Sequence, residues 1–328
     1  MSITKQELIM LQSLPLDIKV MKTKQRICEW INFYGENDVY VSFSGGKDSI
    51  VLLDLVRQVN PNILGVYIDT GLEYPEIKQY VKSVENIQII RPELSLKQVI
   101  EKYGYPMISK QQAQYIHEYK HTKSSYMKMR RMQGDSKGRF KISEKYKYLV
   151  NAPFDISHKC CDKLKKDSIK KYEKESGRVP FIGTHCDDSM LRMQQYLKNG
   201  CNSFLGKRPM SKPLSFWKET DIIEYIKINE LNYPSVYGEI LTDENNNYKF
   251  SKLKGTGCIF CGFGVQLEKE PNRYQRLELT HPQLYDYCMN KLGFKEVCEY
   301  MNIPYKNDNG GKLNEIKRNS SNDGKCRL

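Results

Sequence analysis

At 328 residues, with 39% hydrophobic and 11% aromatic residues, the chain is long enough to bury a large core, and its make-up excludes a mini-protein, a collagen-like repeat and a wholly disordered polymer. Lys and Arg outnumber Asp and Glu by 52 to 39, a formal net charge of +13, which favours an anionic partner such as nucleic acid, a nucleotide or an acidic surface without choosing among them. Met1 to Arg26 mixes charges into its apolar residues throughout, so neither a signal peptide nor a spanning helix is expected; a cytoplasmic setting follows as the default, in which the ten cysteines stay reduced.

Residues 6–14 and 18–34 read as helices ahead of the main fold. Val39-Tyr-Val-Ser-Phe43 is a short β-branched and aromatic run, followed by Ser44-Gly-Gly-Lys-Asp-Ser49 and the amphipathic stretch 50–59: strand, glycine loop, helix. A second strand over 63–69 ends in Thr70-Gly71 and precedes a helix over 75–84. A third strand at 87–90 precedes a helix around 96–103. The alternation pauses between about 105 and 177, then resumes with a strand over 179–184, a helix over 189–198 and an Ile-rich helix over 221–229. This alternation predicts an α/β fold, a parallel sheet with flanking helices and ligands at the carboxyl ends of its strands. The expected organisation is a helical segment over 1–35, a nucleotide-binding domain over 36–235 with a basic insertion at 105–155, a cysteine loop with helices over 236–300, and a mobile basic tail over 301–328.

The glycine loop sits where a strand feeds a helix, so backbone N–H groups and the positive end of the helix dipole converge on one point suited to phosphate. Gly45 and Gly46 permit the tight turn, Lys47 adds a charge, and Ser44 and Ser49 supply hydroxyls. The spacer of a Walker A loop is absent. Cys160-Cys161 and Cys258-Ile-Phe-Cys261 supply four thiolates, enough for a tetrahedral zinc or a [4Fe–4S] cluster. Spacing does not separate the two, although adjacent cysteines suit the separate corners of a cubane better than one tetrahedral ion. Cys28, Cys186, Cys201, Cys288 and Cys298 lack such spacing and are expected in the core. Cys326, flanked by Lys325 and Arg327, is a candidate thiolate nucleophile or sulfur carrier.

Ser44–Ser49 resembles the pyrophosphate loop of the adenine-nucleotide α-hydrolases, and specifically of the phosphoadenylyl-sulfate (PAPS) reductase family, which also carries an Asp-Thr-Gly near the end of the second strand, matched by Asp69-Thr70-Gly71. The resemblance runs over about 36–290 and implies a Rossmann-like PP-loop fold. It implies that Ser42, Ser44, Gly45, Gly46, Lys47, Asp48, Ser49, Asp69, Thr70 and Gly71 hold ATP or a related adenine nucleotide, Mg2+ being an optional companion, with Lys47 and Asp48 next to the reacting phosphate. Gly183 to Arg192 is similar to the family's Gly-x-Arg-x-x-Glu-Ser-x-x-Arg element: Ser189 and Arg192 match, Asp188 replaces Glu, and His185 replaces the first Arg. A tandem Cys-Cys with a later Cys-x-x-Cys resembles the cluster-bearing members, including adenylyl-sulfate (APS) reductases, so the resemblance implies a [4Fe–4S] cluster on Cys160, Cys161, Cys258 and Cys261. Lys165 and Lys166 match a Cys-Cys-x-x-Leu-Lys element, and Trp217 closes another family element as a core residue. The family's reductases place their catalytic cysteine in a Glu-Cys-Gly-x-His context, which Cys326 lacks.

Residues 119–148 hold ten Lys or Arg (Lys120, Lys123, Lys128, Arg130, Arg131, Lys137, Arg139, Lys141, Lys145, Lys147) against Asp135 and Glu144, a balance of 10 − 2 = +8 interleaved with Tyr119, Tyr126, Phe140, Tyr146 and Tyr148. Together these readings predict a sulfur-transfer enzyme that activates an α-phosphate and thiolates DNA or RNA, served by a sulfur or electron donor protein. The alternatives are an APS or PAPS reductase with Cys326 as nucleophile, and a non-enzymatic nucleotide- and nucleic-acid-binding module.

Overall fold

The structure, a computed structural model, describes residues 3–307 apart from 245. Cys326 and the rest of the expected tail beyond 307 lie outside the described residues. In chain order the first elements are α1 (Lys5–Gln12), α2 (Leu16–Tyr34), β1 (Val39–Ser42), α3 (Lys47–Arg57), β2 (Gly65–Ile68), α4 (Pro75–Ser83), β3 (Ile87–Ile90), α5 (Leu96–Tyr103), β4 (Met107–Ile108), α6 (Lys110–His121) and α7 (Ser125–Gln133). Six further strands follow among the described residues: β5 (Val179–Ile182), β6 (Asn202–Ser203), β7 (Met210–Ser211), β8 (Ile240–Thr242), β9 (Tyr248–Phe250) and β10 (Gly262–Phe263).

These elements pack as two compact units, one made of the residues up to Leu96 together with Cys161–Ile259, the other of Lys97–Cys160 together with the residues from Phe260 onward. The division cuts across the spans 36–235 and 236–300 expected from the sequence. Pairing distant in sequence decides it: β4 lies parallel to β10, with Met107 opposite Gly262, and this ties the stretch after 97 to the C-terminal helices.

The first unit holds a six-stranded sheet in the order β3-β2-β1-β5-β7-β6, parallel except for the antiparallel edge strand β6. Val39, Tyr40 and Val41 of β1 are buried, as a strand central in a parallel sheet requires. Helix α3 has no exposed residue, and Val51, Leu52, Leu55 and Val56 are fully buried. Trp30 and Trp217 anchor the core beside it, and Trp217 Nε1 donates to Thr23 Oγ1 at 2.8 Å. An ion pair joins Lys19 of α2 to Asp221 of the helix Glu219–Ile228 at 2.6 Å, with Lys19 only 2% exposed. Cys186 and Cys201 are in this core as expected, where burial pushes both thiols up to about 12. Cys28 departs from the core expectation. It is exposed because α2 buries the face carrying Thr23, Ile27, Trp30 and Ile31.

In the second unit, the stretch where alternation pauses is itself helical: α6 and α7 are followed by the 3-10 turn Glu144–Asn151. Ser109 and Ser124 cap the two helices by accepting the N–H groups of Gln112 and Met127. Cys288 and Cys298 are fully buried here. Among the described residues no helix is long and apolar enough to cross a membrane.

Candidate functional site

In the first unit the chain leaves β1 at Ser42, makes the turn Ser44–Gly46, and enters α3 with Gly46 as its N-cap. Gly45 has φ +70, and a Cβ there would stand 2.8 Å from Val81 Cγ2 and 2.9 Å from Ile77 Cγ2. Gly45→Ala therefore meets both backbone strain and a clash with α4, and is expected to destabilise the unit by about 2–4 kcal/mol, read as a lower denaturant midpoint. The loop hydroxyls, expected as ligand donors, hold the loop itself. Ser49 Oγ donates to the Gly46 carbonyl at 2.8 Å and accepts from Ser44 N, while Ser44 Oγ accepts from Gly46 N at 3.3 Å. The backbone N–H of Lys47 donates to Tyr237 Oη at 3.0 Å, and that hydroxyl lies 3.0 Å from Thr256 Oγ1.

The charged groups gather on one side of this loop. Lys47 Nζ lies 2.9 Å from Asp48 Oδ1 and 3.7 Å from Glu219 Oε1. His185, 3% exposed, places Nε2 at ion-pair distance from Asp48 Oδ1 (3.4 Å) and Asp188 Oδ1 (3.5 Å), with hydrogen-bond alignment to neither. Burial would raise the Asp48 carboxyl, but His185 and Lys47 outweigh it and hold it below the ordinary aspartate value. Ser189 caps the helix Met190–Asn199 by accepting from Arg192 N at 3.3 Å. The Arg192 guanidinium pairs with Asp188, and burial lowers its pKa while Asp48 opposes the change.

Two cavities adjoin at Ser44, Thr256 and Gly257. One, of about 480 Å³, is polar and is lined by Lys47, Asp48, His185, Arg192, Lys254 and Tyr237 among others. The other, of about 270 Å³, lies along the carboxyl ends of β1, β2 and β5 and is walled by Phe43, Ile68, Tyr74, Ile77 and Ile169, with Ser42 and Lys165 at its edge. Arg208 also reaches it, held by a bidentate pair with Glu173 at 2.6 and 2.7 Å, and Glu173 accepts from Tyr40 Oη at 2.7 Å.

Of the residues singled out in the sequence, Ser44, Gly46, Lys47, Asp48 and Arg192 surround the polar cavity, and Ser42 lines the apolar one. Asp69, Thr70 and Gly71 form the neighbouring turn rather than a wall. Asp69 pairs with Lys78 at 2.8 Å, and Thr70 Oγ1 donates to Glu73 at 2.6 Å. The Leu72 carbonyl accepts from Ile259 N at 2.8 Å, which brings the Lys254–Gly257 stretch to the end of β2. Sequence reasoning missed Tyr237, Glu219, Lys254, Thr256 and Glu73. The Gly-Thr-Gly just ahead of Cys258 was the one available signal, since glycines next to a charged loop mark close backbone approach.

None of the four motif cysteines is in a disulfide. Cys161 and Cys258 belong to the first unit and share a cation. Burial would lower the Lys165 ammonium, but the Cys258 sulfur that accepts its hydrogen bond, Glu73 and Cys161 raise it instead. Cys160 and Cys261 belong to the second unit, where Arg273 donates to the Cys261 carbonyl at 2.8 Å. Soft sulfur donors with Lys165 beside two of them fit an anionic iron–sulfur or zinc group in donor chemistry. Among the described residues no group of three or more His, Cys, Asp or Glu side chains is placed to hold a metal ion.

A glycine loop between strand and helix, with converging cations at the carboxyl edge of a parallel sheet, defines an α/β protein built around an anion-suited strand end. The chain belongs to the phosphoadenosine phosphosulfate reductase domain family, whose model matches residues 38–261. It is 39% identical over 77 residues to adenosine 5'-phosphosulfate reductase 2 of Bacillus subtilis, covering 22% of this chain and 32% of that one. With the adenosine 5'-phosphosulfate reductase of Staphylococcus haemolyticus it shares 33% identity over 231 residues, 66% of this chain and 72% of the relative. The chain thus spans about a third of the length of the Bacillus subtilis relative. A solved PAPS reductase from Candida auris, in a phosphate complex, matches with a TM-score of 0.39 and 16% identity over 75% of this chain and 98% of that one.

Proposed function

We propose that the chain binds an adenine nucleotide, ATP first of all, and uses it to activate an acceptor for sulfur transfer to nucleic acid. The adjoining apolar and polar cavities support this reading: the apolar one suits a base with its ribose, and the polar one brings Lys47, Arg192 and Lys254, among the carboxylates of Asp48, Asp187, Asp188 and Glu219, to where a polyphosphate with its cation would lie. Lys47, Arg192 and the amino end of α3 take the phosphate charge. Asp48, held ionised between Lys47 and His185, fixes the Lys47 ammonium and suits a bridging Mg2+. An oxygen of the acceptor then attacks the α-phosphorus, forming a P–O bond as the bond to pyrophosphate breaks. A hydrosulfide equivalent from a donor protein next displaces AMP and leaves sulfur on the acceptor. Cys160, Cys161, Cys258 and Cys261 would hold a [4Fe–4S] cluster, which supplies thiophilic or electron-transfer chemistry when bound. The acceptor is read as nucleic acid because the second unit carries the basic stretch 119–148.

The likeness to adenosine 5'-phosphosulfate reductases favours a second reading, in which the thiolate of Cys326 attacks the sulfur of a sulfonucleotide, forming an S–S bond to the sulfonate as the adenosine phosphate leaves, and a second thiol from a donor then takes the cysteine sulfur into a disulfide and releases sulfite. A third outcome is a binding module with no turnover. Anaerobic purification with iron and sulfide analysis, then product assays on ATP, APS and PAPS, separates the three. Labile sulfide with pyrophosphate and AMP release that depends on nucleic acid is expected. Sulfite release lost in Cys326→Ala replaces this reading with the reductase one. Near-stoichiometric zinc without labile sulfide removes the cluster, and nucleotide binding without any product leaves the module.

A further inference from the structure

The second unit spends part of its charge on its own fold. Of the ten cations in 119–148, Lys120, Arg131, Arg139 and Lys147 are in ion pairs with Asp155, Glu118, Asp135 and Glu144. One loop among them is built with unusual care. Phe140 has φ +65, a left-handed backbone that a bulky aromatic residue adopts only under strain. Its carbonyl accepts from the buried Arg131 guanidinium at 2.8 Å, and Arg131 also donates to Glu118 and lies 4.1 Å above the ring of Tyr115. The Asp135 carboxylate takes the backbone N–H groups of Lys137 and Arg139, at 3.0 and 2.7 Å, and the Arg139 side chain at 2.9 Å. Ile142 N donates to the Arg131 carbonyl at 2.7 Å and closes the loop.

What this bracing presents is an aromatic ring that remains 39% exposed, with Arg130 and Arg139 at 4.6 and 5.4 Å from its centroid. A groove of about 380 Å³ beside it is lined by Gln111, Gln112, Tyr115, Arg139 and Lys141. Burial does not explain a strained backbone here, because the ring is not in the core. A part-exposed ring with guanidinium groups over it does match what an unpaired base and its flanking phosphates need.

We infer that Phe140 is a stacking platform for an unpaired base, so that the polyanion taken by this unit is single-stranded nucleic acid. This rests on the nucleic-acid acceptor proposed above and deepens it. A duplex keeps its bases stacked on one another and offers the ring no partner, whereas single-stranded DNA and RNA share the chemistry the ring recognises.

Anisotropy of labelled oligonucleotides with the full-length chain tests it, using one sequence as single-stranded DNA, single-stranded RNA and DNA duplex over a range of salt. The single strands are expected to bind more tightly than the duplex, and the two single-stranded arms show which sugar is preferred. Phe140→Asn, whose side chain tolerates the left-handed backbone, is expected to weaken single-strand binding about 5- to 100-fold with the salt slope unchanged, while Phe140→Trp retains binding. Lys141→Gln is expected to weaken binding and lower the salt slope by about one. Phe140→Leu, apolar but without a π-face, is measured alongside in case the Asn variant loses its fold. Wild-type affinity in either ring-less variant, or equal affinity for the duplex, overturns the platform while the acceptor reading stands. Failure of the wild-type chain to bind any of the three overturns both.

Discussion

Lys47→Ala is expected to lower nucleotide-dependent product release about 100- to 1,000-fold while leaving the thermal midpoint within a few degrees of the wild type. Lys47 is 5% exposed and opens α3, where in the proposed function the helix end and the charge would act on the same phosphate. Removing it leaves Asp48 and Glu219 facing the cavity with less positive charge to offset them, so an incoming polyphosphate meets net repulsion. Lys47→Arg is expected to rescue poorly. The space around Nζ is shaped by Asp48 and Glu219 for a compact ammonium, and a planar guanidinium needs a different fork of acceptors. Single-turnover and equilibrium binding measurements distinguish loss of affinity from loss of chemistry. Turnover within threefold of the wild type in Lys47→Ala would remove this lysine from the proposed machinery.

The largest effect on stability is expected at Asp221. Asp221→Ala strips the 2%-exposed Lys19 of its carboxylate and removes the acceptor for the N–H of Lys218 at the start of its helix, leaving a buried charge with only the Gln12 carbonyl at 2.9 Å. Breaking one side of such a pair costs about 3–5 kcal/mol, whereas replacing both sides with apolar residues of similar size is near neutral. The double variant Lys19→Met with Asp221→Leu is therefore expected to recover most of the denaturant midpoint lost in the single variant. If the single variant unfolds at the wild-type midpoint, the pair contributes nothing and the neighbouring tryptophans hold the helices together alone.

Much of the first unit was legible in the sequence because its signals are local. β3 has the expected bounds, as does α5, which runs from Leu96 into the second unit, and β1, β2, β5 and the first four helices fall within a few residues of them, since β-branched runs, the glycine loop and Pro75 at a helix start act over a turn or a strand. The helix expected over 189–198 was legible for the same reason, and is found at Met190–Asn199. The rest of the second unit was not. α6 and α7 mix charged and aromatic residues, so their periodicity is faint, and β4 is two residues long with its partner β10 more than 150 positions away. The site divides in the same manner. Ser44 to Asp48 announce themselves in one stretch, while Tyr237 and Thr256 reach the loop only by long-range packing, Tyr237 with no pattern of its own and Thr256 marked only by its flanking glycines. Ser44 and Ser49 show the limit of residue type as a guide, because hydroxyls suited to a ligand are already tied to the backbone that shapes the loop.

Helix α3, which carries Lys47 at its first turn and has no exposed residue, bears on how the proposed nucleotide site can be altered. A helix whose residues are mostly buried leaves directed evolution little room to work, since a change at Val51 or Leu55 is felt throughout the core before it is felt by a ligand. The opposite wall offers more freedom: a Cβ at Gly255 or Gly257 meets no atom within 4 Å. Libraries aimed at a different base or phosphate chain are best built at Lys254–Gly257, with the phosphate loop and its helix held constant.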